Sequence, residues 1–197
     1  MRDRRLGLEG WAVLALLAVV LVPRADALDA VAGDRVADRS KDRSGSSRPT
    51  PSARAKRDIP SRYLARYRSA AGRCRGLSWT VLAAIGKVES DHGRTRLPGV
   101  RSGANWAGAA GPMQFGIGGK AGNTWGAYRV DGDRDGRASV YDADDTIPAA
   151  ADYLCAHGAP KQLRRAIWHY NHSRAYVAKV LAIARRYAGQ PRSGGTR

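Results

Sequence analysis

The chain has 197 residues and a formal net charge of +17. This length leaves room for one folded domain with a single sizeable core, and it excludes two domains of ordinary size. The excess of arginine and lysine favours polyanionic partners, which include nucleic acids, anionic wall polymers and phospholipid headgroups.

The first 27 residues have the pattern of a secretory signal peptide. Three arginines within the first five residues precede an apolar run from 11 to 22 and the small-x-small sequence Ala25-Asp26-Ala27. We expect a mature monomer that begins near Leu28, lacks a transmembrane helix and is secreted to the cell wall or periplasm. An uncleaved anchor is the alternative, although the apolar run is short for a membrane span. Because an exported chain first meets the cell envelope, we expect wall polymers as partners and no nucleic acid.

Three further segments follow the signal. Residues 28–58 have almost no apolar side chain large enough to bury, which predicts a disordered basic linker. A single folded domain is predicted for 59–189, and a flexible tail for 190–197. The caps and the apolar spacing within the domain predict five helices. The first runs from Ser61 to Ala71, and the second begins at the Ser78 cap and is closed by Gly93. The third follows Asp144-Asp145, with Pro148 in its first turn and Gly158 just past its end. The last two run from Leu163 to His169 and from Ser173 to Tyr187.

The chain has two cysteines, Cys74 and Cys155. In an exported protein we expect them to form a disulfide bond with each other, and two buried free thiols are the alternative.

Glu89 lies on the apolar side of the second predicted helix. Leu82 and Ile85 precede it by seven and four residues, so the three side chains share one face, and Gly86 leaves space one turn before it. Desolvation raises the pKa of a carboxyl group, and an acid that keeps its proton near neutral pH can act as a general acid. The alternative is a glutamate that bends out to solvent or pairs with an arginine.

Four short motifs follow in order: AAIGKVESDHG at 83–93, GAAGPMQF at 108–115, DGDRDGRASVYD at 131–142 and HYNHS at 169–173. Together they resemble the lytic transglycosylases, lysozyme-like enzymes that cleave bacterial peptidoglycan. The resemblance is nearest to the membrane-bound lytic transglycosylase B group and its soluble exported relatives, and it covers most of 77–187. It implies a mainly α (α+β lysozyme-like) domain with a glycine-rich loop region and an EF-hand-like loop.

The resemblance also implies roles for particular residues. Glu89 corresponds to the catalytic acid, and Ser90 to the serine that helps to hold it. The GPMQF loop corresponds to the lining of the sugar cleft, with Met113, Gln114 and Phe115 as substrate-binding residues; a Gly-Pro turn with Met and Phe in the core is the alternative. Tyr170 and Asn171 match the family's Tyr-Asn pair, for which the alternative is a capping asparagine beside a core tyrosine.

The implied reaction cleaves the β-1,4 bond between N-acetylmuramic acid and N-acetylglucosamine without water. In the family, one glutamic acid protonates the leaving oxygen and then removes the proton from the 6-hydroxyl of the same muramic acid, which leaves a 1,6-anhydromuramyl end. Asp91 points to another face of the helix than Glu89 and is interpreted as solvated or paired with Lys87. A hydrolytic goose-type lysozyme, a non-catalytic basic wall-binding protein and a secreted nucleic-acid binder are the rival functions.

The acidic segment from 131 to 142 follows the spacing of an EF-hand calcium loop, and the resembled group has a similar loop. A structural calcium ion is the one cofactor considered, since the reaction needs no organic cofactor. An Asp-Gly turn that orders itself by side-chain to backbone hydrogen bonds is the alternative. The candidate ligands are Asp131, Asp133, Asp135, the carbonyl group of Arg137, Ser139 and Asp142.

Aromatic residues and histidines complete the candidates. Aromatic rings suit the apolar faces of sugars, although each ring could equally belong to the core. Lys120 follows two glycines but lacks the other residues of a phosphate-binding loop, and a zinc site at His169 and His172 lacks further ligands. His92 and His157 fall at helix ends, where the helix dipole favours a cation. The aromatic candidates for sugar contacts are Trp106, Trp125, Tyr128 and Tyr170.

Overall fold

The structure, a computed structural model, describes residues 49–189. This part of the chain contains seven α-helices and one small antiparallel sheet, which confirms the predicted mainly helical fold class. The elements in chain order are α1 (Ala53–Asp58), α2 (Ser61–Ala70), α3 (Trp79–Ser90), β1 (Ala109–Ala110), β2 (Phe115–Gly116), α4 (Thr124–Tyr128), α5 (Ala143–Ala156), α6 (Leu163–Tyr170) and α7 (Arg174–Tyr187), with short 3-10 helices at Ala71–Arg73 and Gly119–Ala121.

Helix α3 forms the centre of the core and packs against α7, α2 and α5. It is apolar around most of its circumference, as expected for a helix that is covered on several sides. The Ser78 hydroxyl caps its first turn by accepting the N–H of Thr80, as the sequence predicted. The helix ends at Asp91, which adopts the left-handed conformation with φ 53°. The acid at Glu89 is therefore held in the last turn of the most buried helix.

The folded domain begins earlier than the predicted boundary at residue 59. Helix α1 lies in the segment assigned to the linker, and the side chain of Ala55 is completely buried. The Ser52 hydroxyl accepts the N–H of Ala55 and donates to the carbonyl group of Arg186, so both ends of the domain are joined there. The buried alanine is enough to pack this short helix against α7. The sequence prediction missed the helix because it looked for large apolar residues. The predicted signal, the linker up to 48 and the tail from 190 lie outside the described residues.

The start of α5 also differs from the prediction. Asp142 caps the helix by accepting the N–H of Asp144, so the helix begins before the two acidic residues and Pro148 lies in its interior. Proline has no N–H to donate to the carbonyl group four residues earlier, which belongs to Asp144. Gly132 packs against that carbonyl oxygen so closely that a Cβ at this position would lie 1.9 Å from it. This approach seats the acidic loop on α5.

The glycine-rich segment between α3 and α5 forms most of the non-helical structure. Strands β1 and β2 pair with Ala110 opposite Phe115, and residues 111–114 connect them. Gly111 has a φ of 77°, and a Cβ there would lie 1.7 Å from the carbonyl oxygen of Val140. Only glycine fits this crossing. Helix α4 and both 3-10 helices were absent from the sequence prediction because they are too short to show a period.

Cys74 and Cys155 form the predicted disulfide bond, with 5.6 Å between their Cα atoms. The bond joins the segment after α2 to the last turn of α5. Within residues 49–189, no helix is long and apolar enough to cross a membrane.

Candidate active site

Glu89 projects from α3 beside an open cleft of about 400 Å³. Its carboxylate oxygen Oε1 accepts a hydrogen bond of 2.5 Å from the hydroxyl group of Tyr176, in the first turn of α7. Burial raises the pKa of Glu89 to about 7, although the Tyr176 hydrogen bond and the charge of Lys179 act to lower it. Near neutral pH the carboxyl group is therefore poised between its protonated and ionised forms. The alternative of a solvated or arginine-paired glutamate is not what the structure contains.

The cleft is lined by the end of α3, the loops around β1 and β2, single residues of α4 and α5, and the C-terminal end of α6. Among residues 49–189, Glu89 is the single carboxylate in this lining, while lysine, histidine and amide side chains supply the other polar groups. The ionisable and amide lining residues are Glu89, Asn105, Gln114, Lys120, His169, Asn171 and His172, and the aromatic ones are Trp106, Phe115, Tyr153 and Tyr170.

The GPMQF loop is divided between the core and the cleft. Met113 is completely buried and belongs to the hydrophobic core, so the predicted contact between this side chain and a glycan is wrong. Phe115 lines the cleft but is 2% exposed, and its ring packs against Trp125 and Tyr170. The Phe115 ring therefore forms part of the cleft wall and offers almost no surface to a ligand. Both side chains match the alternative interpretation, a Gly-Pro turn with methionine and phenylalanine in the core.

Gln114 turns toward the cleft where its two neighbours turn away. It has a φ of 51°, an uncommon conformation for a residue with a side chain. Its amide nitrogen donates to the carbonyl group of Gly111, and its amide oxygen accepts a bond of 2.9 Å from Asn105. The backbone geometry and these bonds hold the side chain at the cleft wall.

Tyr170 and Asn171 both line the cleft at the end of α6. The Tyr170 hydroxyl donates to the carbonyl group of Met113 at 2.8 Å, which ties α6 to the GPMQF loop. Burial raises the pKa of Tyr170 well above its ordinary value, and the charge of Glu89 adds to this effect. Asn171 is exposed and ends the helix as its C-cap, so the capping interpretation and the cleft position hold together.

Ser90 is completely buried and cannot contact a substrate directly, which corrects its assignment as a substrate-binding residue. Its hydroxyl donates to the carbonyl group of Pro112 at 2.6 Å and accepts the N–H of Gly93 at 2.8 Å. No hydrogen bond joins it to Glu89 within the described part of the chain. The serine instead fastens the end of α3 to the loop that forms the cleft wall.

His92 was expected to favour a cation at a helix end, and this expectation is wrong. Its ring is 1% exposed and lies between the hydroxyl groups of Tyr67 and Tyr187, at 3.0 and 3.3 Å. Burial and the charge of Arg94 lower the pKa of His92 to about 4, so the imidazole is neutral at pH 7. Asp91, by contrast, pairs with Lys87 as predicted, at 2.6 Å.

Two of the four aromatic candidates line the cleft, and two pack against other aromatic rings. Trp106 and Tyr170 line the cleft, whereas Trp125 packs against Phe115 and Tyr128 against Tyr153. Sequence reasoning missed Tyr176, Asn105 and the cleft position of His169 and His172. A tyrosine three residues after a helix cap carries no signal of a partner 87 positions away, and only the packing of α7 on α3 brings the two together.

The acidic loop has an arrangement that differs from the expected ligand order. The carboxylate oxygens of Asp131, Asp133 and Asp145 lie within 4.8 Å of one another, whereas Asp142 groups with Asp133 and Asp144. Asp145 replaces Asp142 in the first cluster because Asp142 is used as the cap of α5.

Backbone N–H groups supply donors to the same carboxylates. Those of Gly132 and Ser139 donate to the two oxygens of the buried Asp145, at 2.8 Å each. Those of Asp135 and Gly136 donate to Asp131, and that of Arg137 donates to Asp135. The self-ordering turn is therefore present, and two lone pairs on each carboxylate oxygen leave capacity for a cation beside it.

No protein-family model and no curated protein sequence matches the chain. A similar solved structure is the Escherichia coli lytic transglycosylase Slt35 in complex with bulgecin A, with a TM-score of 0.53 and 16% sequence identity. The match covers 67% of this chain and 76% of that one. The two chains share a fold. The lysozyme-like architecture implied by the sequence motifs is thereby supported, and at this identity the likeness extends to the fold alone.

Proposed function

We propose that this protein is an exported peptidoglycan lytic transglycosylase with Glu89 as its one catalytic acid. The observation that carries the proposal is a partly buried carboxyl group with a pKa of about 7 beside a cleft in which, among residues 49–189, no second carboxylate lies. The fold shared with Slt35 and the sequence motifs point in the same direction. The disulfide bond is compatible with export.

The first step is protonation of the glycosidic oxygen between N-acetylmuramic acid and N-acetylglucosamine. Because Tyr176 donates to Oε1 of Glu89, the transferable proton resides on the other oxygen, Oε2. As the C–O bond breaks, Glu89 becomes a carboxylate, and the tyrosine hydroxyl stabilises the charge that forms. A pKa near 7 suits both states, since the group must give up a proton and then take one back.

The second step distinguishes the proposed reaction from hydrolysis. Enzymes that retain or invert at the anomeric carbon use two carboxylates, one of them as nucleophile or as base for water. In the proposed reaction the 6-hydroxyl of the same muramic acid attacks the anomeric carbon while Glu89 removes its proton. Attack within one sugar has a high effective concentration, so one acid suffices. The products are a 1,6-anhydromuramyl end and a free N-acetylglucosamine 4-hydroxyl.

Peptidoglycan glycan strands and anionic wall polymers are the partners that suit the electrostatics. The chain carries a net charge of +17, and Lys120 lies in the cleft lining. The positive charge attracts an anionic polymer and speeds its association, and this attraction decreases as the salt concentration rises. Nucleic acid is not part of the proposal, because the cleft is built around a proton donor rather than around a set of phosphate-binding groups.

A calcium ion is proposed for the acidic loop with a structural role. Asp131, Asp133 and Asp145 bring carboxylate oxygens together, and oxygen ligands are the ones that calcium prefers. Burial and the neighbouring charges of Asp142 and Asp133 raise the pKa of Asp145, which is the effect that a bound cation would relieve. The ion would hold the loop against α5, away from the bond that is cleaved.

Digestion of purified sacculi followed by mass spectrometry of the products tests the function. We expect muropeptides that are one water lighter than the products of a hydrolase, and no release of products by Glu89→Gln. Asp91→Asn is the matched control two residues away: its carboxylate is paired with Lys87 outside the cleft, so lysis should persist. Fully reducing ends would instead identify a lysozyme, and undiminished lysis by Glu89→Gln would remove Glu89 from the mechanism.

A further inference from the structure

Trp106 is the most exposed of the large apolar side chains in the described part of the chain, with 85% of its surface accessible. It lies in the lining of the cleft, next to Lys120, whose Nζ is 5.5 Å from the centre of the indole ring. An exposed indole beside polar lining residues offers a flat apolar face to a ligand. The ammonium group of Lys120 lies over one side of the ring and places a positive charge next to the indole.

The backbone holds these two residues in fixed relation. Asn105 forms the turn that carries Trp106, because its side-chain oxygen accepts the N–H groups of Ala107 and Ala109 at 2.8 and 3.0 Å. The 3-10 helix that carries Lys120 is joined to this turn by a hydrogen bond of 2.7 Å from the N–H of Ala121 to the carbonyl group of Ala107.

Gly108 allows the two segments to approach this closely. A second backbone bond, of 2.8 Å, runs from the N–H of Ile117 to the carbonyl group of Gly108. A Cβ on Gly108 would lie 2.1 Å from the carbonyl oxygen of Gly118. The arrangement is thus built before a ligand arrives, which reduces the entropy that binding must overcome.

Lys120 has no carboxylate partner in the described part of the chain. Within residues 49–189, the ion pairs involve Arg66, Arg73, Lys87 and Arg94, and none includes Lys120. The one acid in the cleft lining, Glu89, already accepts the hydroxyl group of Tyr176. The positive charge at this end of the cleft is therefore available to an anionic group of the ligand.

We propose that Trp106 and Lys120 form a subsite for a pyranose that carries a carboxylate, with the ring on the indole and the carboxylate on the ammonium group. This rests on the proposed function and specifies its substrate further. Of the two sugars in the glycan, the muramyl residue carries an acidic substituent, as a lactyl group or a peptide, and the glucosamine residue carries none. The subsite would thereby set the register of the strand in the cleft.

Binding measurements with two glycans test the subsite. The full chain with Glu89→Gln, which prevents turnover, is titrated with a neutral N-acetylglucosamine oligomer and with a muramyl glycan that carries free carboxylates. Trp106→Ala should weaken binding of both glycans about tenfold, because both rings stack on the indole. Trp106→Phe should restore most of the affinity, which separates loss of the ring from misfolding.

Lys120→Gln should weaken binding of the muramyl glycan about two- to fivefold, as for loss of an exposed ion pair, and leave the affinity for the neutral oligomer unchanged. Lys161→Gln and Leu97→Ala, exposed residues outside the cleft lining, are the controls and should change neither affinity.

Two results would overturn the subsite: equal losses for both glycans with Lys120→Gln, or full affinity with Trp106→Ala. Failure of the proposed function is separate, because it would leave the Lys120 selectivity intact while the unaltered protein releases no anhydromuramyl product.

Discussion

Replacement of Glu89 by glutamine should stabilise the protein in a pH-dependent way. Burial raises the pKa of Glu89 from about 4.5 to about 7, so the folded chain holds a proton that the unfolded chain has released between these values. The folding free energy contributed by this proton is fully present below pH 4.5 and is lost as the pH rises through 7. At 1.36 kcal/mol for each pKa unit, the loss is about 3 kcal/mol.

Glutamine has nearly the same shape and can accept the Tyr176 hydroxyl, but it does not ionise. The free energy of unfolding of Glu89→Gln minus that of the parent should therefore rise by about 3 kcal/mol between pH 4 and pH 8.5. For a domain of this size the change corresponds to a relative increase in Tm on the order of 10 °C. Urea titrations at a series of pH values measure it, and titrations common to both proteins, such as that of His92, cancel in the difference.

Asp91→Asn is the control with the opposite sign. Hydrogen bonds from Arg94 and Lys87 lower the pKa of Asp91, so its carboxylate contributes stability above pH 3.8 that is lost on acidification. Asparagine tolerates the left-handed conformation found at this position. A difference curve for Glu89→Gln that stays flat across the pH range would refute the protonated, desolvated acid, and with it the basis of the proposed chemistry.

Three further predictions concern stability. Replacement of Cys74 and Cys155 by serine opens a loop with a sequence separation of 81 residues and should cost about 4 kcal/mol of unfolding free energy in urea titrations; an unchanged midpoint would contradict it. Burial lowers the pKa of His92 from 6.5 to about 4, so its contribution of about 3 kcal/mol is present above pH 6.5 and lost as the pH falls through 4. His92→Gln should remove this acid sensitivity, and calorimetric scans from pH 7 to pH 3.5 would show whether it persists. Calcium in hundredfold excess over its Kd should raise the free energy of unfolding by about 2.7 kcal/mol in urea titrations, and Asp145→Asn should abolish the increase. The calcium site would be contradicted if magnesium stabilised the protein equally, or if calcium stabilised Asp145→Asn as much as the parent.

The sequence predicted helices best where caps and apolar spacing agree. Helix α7 was predicted from Ser173 to Tyr187; Ser173 is its N-cap, so the helix begins one residue later and ends at Tyr187 as expected. Helix α3 follows its Ser78 cap. Local signals failed where a short or small-residue segment gains its structure from a neighbour. Helix α1 is seated through Ala55, and the interior position of Pro148 is accommodated by the loop at Gly132.

The candidate site was predicted in outline and corrected in detail. Glu89 stood out because an acid at helical spacing from Leu82 and Ile85 is visible in a single segment. The GPMQF motif indicated a loop near it but not the orientation of its side chains. Met113 enters the core, while the positive φ of Gln114 turns its side chain toward the cleft. The φ angle of one loop residue depends on how the loop packs, so the motif alone could not predict it.

The sequence by itself determined that one helix carries an acid on its apolar face and that the domain is mainly helical, and it favoured a bond between the two cysteines that the structure contains. These features are local or unique in the chain, since caps, periodicity and a single cysteine pair leave little choice. Tertiary structure decided the hydroxyl partner of Glu89, the absence of a second cleft carboxylate within residues 49–189, and the meeting of Trp106 with Lys120. Such contacts join side chains that are distant in the chain, and only the packing of elements against one another brings their atoms within hydrogen-bonding or van der Waals reach.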